Sequence, residues 1–74
     1  MMITILNLIH FRCPDTILML KKKIKSINKK NEILVLTNDI ATKWDIPRFC
    51  KFMNYKLINI NIKNVPYKFL IQKI

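Results

Sequence analysis

Arg12-Cys13-Pro14-Asp15-Thr16-Ile17-Leu18 sets a thiol directly before a proline, and from Ile17 onward apolar residues recur at helical spacing. A proline suits the first helical position, where its missing N–H has no helical partner to lose and its φ is already preset. Cys13 then stands at or next to the N-cap. Free backbone N–H groups and the positive end of the helix dipole favour an anion there. Together with Arg12 they favour the thiolate, while Asp15 opposes it and Pro14 removes one donor, so a modestly lowered pKa is expected. Cys13 is the candidate reactive sulfur. The plainer reading is a small apolar residue closing a strand-to-helix turn.

Upstream, Ile3 to Ile9 is short and rich in β-branched residues, as a first strand is. Downstream, Ile17, Leu20, Ile24 and Ile27 form the buried stripe of a helix. Lys21, Lys22, Lys25 and Lys29 take its other faces, and Asn28 to Asn31 is a polar stop. The run Ile33-Leu34-Val35-Leu36, within Glu32 to Asn38, suits a central strand with neighbours on both sides in a parallel arrangement. The three elements make a βαβ unit that brings the carboxyl ends of both strands to one edge. Cys13 and Asp39 should share that rim, where sites in open α/β sheets form.

A second helix spans Thr42 to Asn54, with Ile46, Phe49, Cys50 and Met53 inward and either Thr42 or Asp45 as its N-cap. Cys50 lies on the buried stripe and reads as a small core residue. From Tyr55 to Lys63, Ile58, Ile60 and Ile62 share one face of a half-buried strand, and Tyr55, Leu57, Asn59 and Asn61 the other. Asn64-Val65-Pro66 turns the chain into a last strand from Tyr67, where Tyr67, Phe69 and Ile71 alternate with Lys68, Leu70 and Gln72. The order is βαβαββ. Two such helices most simply cover one face of a four-stranded mixed sheet, an α/β (α+β) two-layer sandwich.

The chain has 74 residues, 51% of them hydrophobic, which is enough for one compact core over residues 1–74. No apolar run approaches the length of a membrane span, and the start lacks a signal-peptide pattern, so a cytoplasmic chain without a membrane role is expected. Two cysteines in that setting read as free thiols with unequal roles. The formal charge of +10 draws acidic partners, nucleic acid first among them, although Lys and Ile excess also follows from an AT-rich genome. With no glycine, tight turns must use Asn, Asp or Pro.

Four blocks carry a resemblance: His10 to Thr16, Thr37 to Thr42, Asp45 to Met53 and Val65 to Lys73. In one register from Ile3 to Lys73 they resemble the TusA family, the SirA-like sulfur carriers. The resemblance implies a βαβαββ sandwich similar to the C-terminal domain of bacterial translation initiation factor three, with sheet order 1-2-4-3. It also implies that Cys13 accepts sulfane sulfur from a cysteine desulfurase, IscS, as a persulfide. The sulfur then passes to the TusBCD complex, through TusD, toward 2-thiouridine in tRNA, which this chain meets only indirectly. Arg12, Pro14 and Asp15 are the supporting residues of that motif. His10 stands where the family usually has glycine, and Thr16 where it has a second proline.

A carrier of this kind needs an exposed, ionisable sulfur and no metal, cofactor or base of its own. The expected form is a monomer that relays sulfur through a cysteine persulfide in the manner of a sulfurtransferase, without an enzyme's turnover of its own. A partner reaching Cys13 would touch Leu18, Lys21 and Lys25 on the first helix and Asp39 on the rim, with Phe52 from the end of the second helix. The rival reading is a small basic RNA-binding module. A thiol–disulfide oxidoreductase would need a second cysteine two positions on, and a zinc site from His10, Cys13 and Cys50 has too few ligands.

Overall fold

The computed structural model describes residues 2–74. Its elements in chain order are β1 (Ile3–Leu8), α1 (Asp15–Ser26), β2 (Glu32–Thr37), α2 (Thr42–Met53), β3 (Lys56–Asn61) and β4 (Tyr67–Gln72). They form one four-stranded mixed sheet in the order β1-β2-β4-β3. β1 and β2 are parallel, as a helical crossover requires, and β4 runs antiparallel to both β2 and β3. Fold class and strand order are those expected.

Both helices lie on one face. Leu20 and Ile24 from α1, with Ile46, Phe49 and Cys50 from α2, pack on Leu8, Ile33, Val35, Tyr67, Phe69 and Ile71 of the sheet. Burying the larger of these side chains stabilises the fold by about 1.5–3 kcal/mol each. Of the stripe expected for α1, Ile17 and Ile27 are only half-buried, and Thr16 is fully buried instead. The Lys73 ammonium closes the end of α1 by donating to the carbonyls of Ile24 at 2.9 Å and Ile27 at 3.0 Å.

Two strand expectations are corrected. β2 has one parallel and one antiparallel neighbour, and its residues alternate between buried and half-buried. With helices on one face only, the alternate residues Leu34 and Leu36 face outward, and Leu34 sits between Ile5 and Leu70 in a cross-strand row. In β3 the register slips between Leu57 and Asn59, because two steps on that strand oppose one on β4. Leu57 is therefore half-buried against the core, while Ile58 and Ile60 of this edge strand, and Ile62 just past its end, are exposed.

The start of α2 is neither of the expected caps. Ala41 occupies the N-cap and Thr42 is the first helical residue. Asp45 lies in the first turn, and Pro47 inside the helix leaves the Lys43 carbonyl without its i+4 donor. Asn54 ends α2 with φ of 61°, and the Tyr55 N–H reaches back to the Cys50 carbonyl at 2.9 Å. The other positive φ among the described residues belongs to Lys30, at 71°. His10 takes none, so its loop closes without the freedom that glycine supplies.

Candidate functional site

The chain leaves β1 at Leu8 and folds back at once, with the Phe11 N–H on the Leu8 carbonyl at 3.0 Å. The Asp15 N–H meets the Arg12 carbonyl at 2.8 Å, and Pro14 is the N-cap of α1, its carbonyl accepting from Leu18 at 3.2 Å. Cys13 is exposed at this bend. On the neighbouring strand β2 ends at Thr37 and the chain passes through Asp39 into α2. Parallel pairing of β1 and β2 puts both departures on the same rim.

Asp39 joins them. One carboxylate oxygen accepts the Cys13 N–H at 2.7 Å and the other the Ala41 N–H at 3.1 Å. Its own carbonyl accepts the Thr42 N–H at 3.0 Å and the Thr42 hydroxyl at 2.5 Å, and Thr42 is bonded in turn to the Thr37 hydroxyl at 2.6 Å. The cysteine loop and the start of α2 are thus held as one unit. With only 9% of its surface exposed, Asp39 is a bracket behind the sulfur more than a surface offered to a partner.

The sulfur itself turns toward α2. Cys13 Sγ donates to Asp45 Oδ2 at 3.3 Å, a pairing between residues 32 apart in the chain. This reverses the expected pKa. The Cys13 thiol is raised above its ordinary value, first by that hydrogen bond and then by local desolvation and the charges of Asp45, Asp39 and Asp15. The expectation of a lowered value weighed the helix start and Arg12. In the folded chain the thiol points at a carboxylate, and three of the chain's four acidic residues act on it. The raised pKa favours the protonated thiol of Cys13 at neutral pH.

Of the supporting residues, Arg12 and Asp15 are exposed on either side of the bend, and Pro14 starts the helix. Thr16, where the family usually has a second proline, has a fully buried hydroxyl with no hydrogen-bond partner among the described residues. Leu18, Lys21 and Lys25 are exposed on α1 and line a shallow groove with Met19 and Lys22. Phe52 is 85% exposed, seven residues beyond Asp45 and so about 10 Å further along α2. Cys50 is 2% exposed in the core, and burial pushes its thiol up to about 11.

Asp45 is the residue that sequence reading passed over. In the sequence it reads as a candidate helix cap and as the start of one resembling block, not as a partner of Cys13, and the signal for that role is its first-turn position on a helix that begins at the same rim as Cys13. Exposed apolar side chains beside the site also went unnoticed: Phe11 two residues before Cys13, Ile40 after Asp39, and Trp44 before Asp45. Among the described residues, no group of His, Cys, Asp and Glu is arranged to hold a metal ion, and no helix is long and apolar enough to cross a membrane. The open sheet face presents Ile3, Ile5, Leu34, Leu36, Leu70, Lys56, Lys68, Asn59 and Asn61 without an aromatic ring, so it lacks the stacking platform of a sheet-based RNA binder.

One exposed thiol at the carboxyl edge of a βαβ unit, backed by a hairpin and two helices on a single face, defines a small two-layer α/β domain with a thiol on its rim. A profile of the family described as sulfurtransferase TusA matches residues 4–73. The sulfur carrier protein TusA of Buchnera aphidicola subsp. Baizongia pistaciae (strain Bp) is 46% identical over 69 residues, which cover 93% of this chain and 87% of that protein. The chain belongs to the TusA family of sulfur carriers.

Proposed function

We propose that Cys13 accepts sulfane sulfur from a cysteine desulfurase, IscS, and that the resulting persulfide is passed through TusD of the TusBCD complex toward 2-thiouridine in tRNA. The observation that carries this reading is the exposed thiol of a Cys-Pro pair at the carboxyl edge of the βαβ unit in a TusA-family chain. The relay works in the cytoplasm on a monomeric carrier, and tRNA is reached only through the later members. The first helix supplies Leu18, Lys21 and Lys25 to the partner, with Asp39 behind the sulfur and Phe52 at the margin.

The chemistry is compatible with the neutral resting thiol. Thiolate attack on an enzyme-bound persulfide requires ionisation at the moment of transfer, not beforehand. A thiol kept protonated between transfers resists stray electrophiles and oxidants, because susceptibility follows thiolate character. Incubation with a desulfurase and cysteine should add one sulfur atom by intact mass, removable by reductant. Cys13→Ser should abolish that gain while the protein stays folded, since the side chain is exposed. Sulfur retained by the serine variant would overturn the assignment.

A further inference from the structure

We propose that Asp45 is a catalytic residue of sulfur acceptance, holding the proton of Cys13 at rest and taking it as the new S–S bond forms. The inference rests on the carrier reading above and departs from the expectation that the carrier needs no base of its own: it adds the group that handles the proton.

The geometry singles out Asp45 among the three carboxylates. A thiol has one proton, and the 3.3 Å bond from Sγ to Asp45 Oδ2 aims it at this side chain. Both oxygens of Asp39 are already occupied by the N–H groups of Cys13 and Ala41. Asp15 acts on the sulfur through its charge alone. Asp45 does not cap α2, whose N-cap is Ala41 with no side-chain bond, and its carboxylate makes no other hydrogen bond among the described residues. Because the Asp39 bracket ties the cysteine loop to α2, the pair stays in register at the surface.

The step balances without an outside reagent. Cys13 Sγ attacks the outer sulfur of a donor persulfide, R–S–SH, and its proton passes to the Asp45 carboxylate. The new Sγ–S bond forms as the R–S–S bond breaks, and that bonding pair leaves on R–S⁻. The Asp45 carboxylic acid then gives its proton to R–S⁻, leaving Cys13–S–SH and R–SH. One sulfur–sulfur bond replaces another, so nothing is oxidised or reduced overall. Docking of the donor excludes water from the rim, which raises the proton affinity of the carboxylate when it is needed.

The test compares wild type, Asp45→Asn and Asp45→Glu by two rates: alkylation by iodoacetamide across pH, and sulfur gain from a desulfurase with cysteine. Removing the charge should shift the alkylation profile of the Asn variant to lower pH and speed it at neutral pH. Sulfur gain should instead fall by about 10²-fold, the usual worth of a positioned general base, and Asp45→Glu should restore part of it. An Asn variant that gains sulfur as fast as wild type, or faster, overturns the proposal, because Asp45 would then only repel the thiolate. An unchanged alkylation profile overturns it equally. Cys50 left unlabelled reports an intact core in each variant. Should the Asn variant expose Cys50, wild type decides alone. Its sulfur gain stays nearly flat from about pH 7 to 8 while alkylation climbs about tenfold per unit, and a parallel climb overturns the role. A wild-type chain that gains no sulfur sinks the carrier reading itself, whereas failure confined to the Asn variant sinks only Asp45.

Discussion

Cys13 and Cys50 are the same functional group in two settings, and both are held as thiols. For Cys50 the cause is burial: the side chain sits in the core and its charged form has no water. For Cys13 the leading cause is a carboxylate on an open rim, helped by two more. Desolvation by packing persists as long as the fold does. A hydrogen bond to a surface carboxylate changes as soon as a partner covers it or a proton moves. One thiol is held by the fold itself, the other by a contact at the surface.

The sharpest contrast between the two is labelling. Iodoacetamide should modify native Cys13 and spare Cys50 by at least about 100-fold, since Cys50 reacts only through opening of the core. Equal labelling, read by peptide mass, would break the comparison. A smaller effect is expected at the approach to the rim. Lys21→Glu with Lys25→Glu should slow sulfur gain about tenfold at low salt and much less at high salt, because these exposed charges steer encounter and are screened. Alkylation of Cys13 should barely change in that double variant. Slowing by the same factor at both salt concentrations would leave the lysines as a solvated face. The smallest effect lies in the core: Cys50→Ala should keep most of the sulfur gain and lower stability by about 1 kcal/mol through lost packing. Urea unfolding and the loading assay together check it, and a folded variant unable to gain sulfur would show that both thiols take part.

The Cys-Pro pair, the two amphipathic helices and the four strands are all legible in residue order, because each is written in a local period. The shared rim of Cys13 and Asp39 is legible too, since a βαβ crossover leaves no other place for two strand ends. Misreadings cluster where neighbouring elements intervene. Alternation alone grouped Ile58, Ile60 and Ile62 on one face of a half-buried strand, but the slip against β4 sends Leu57 to the core instead. The polar stop at Asn28 to Asn31 was visible, whereas the residue that takes positive φ there is Lys30. Lys30 is fixed from outside, its N–H bound to the carbonyl of Lys73 at the far end of the chain.

By itself the sequence determined which residue offers the reactive sulfur and which end of the sheet it would reach. Hydrophobic period and proline placement are short-range properties, and both put an exposed sulfur at the start of a helix. Only the tertiary structure decided the state of that sulfur. Whether a thiol faces helix N–H groups or a carboxylate depends on how two helices meet across 32 residues of chain, and no local pattern encodes that distance. Electrostatic energy falls with separation in space, not along the sequence, so the protonation of Cys13 was settled by packing.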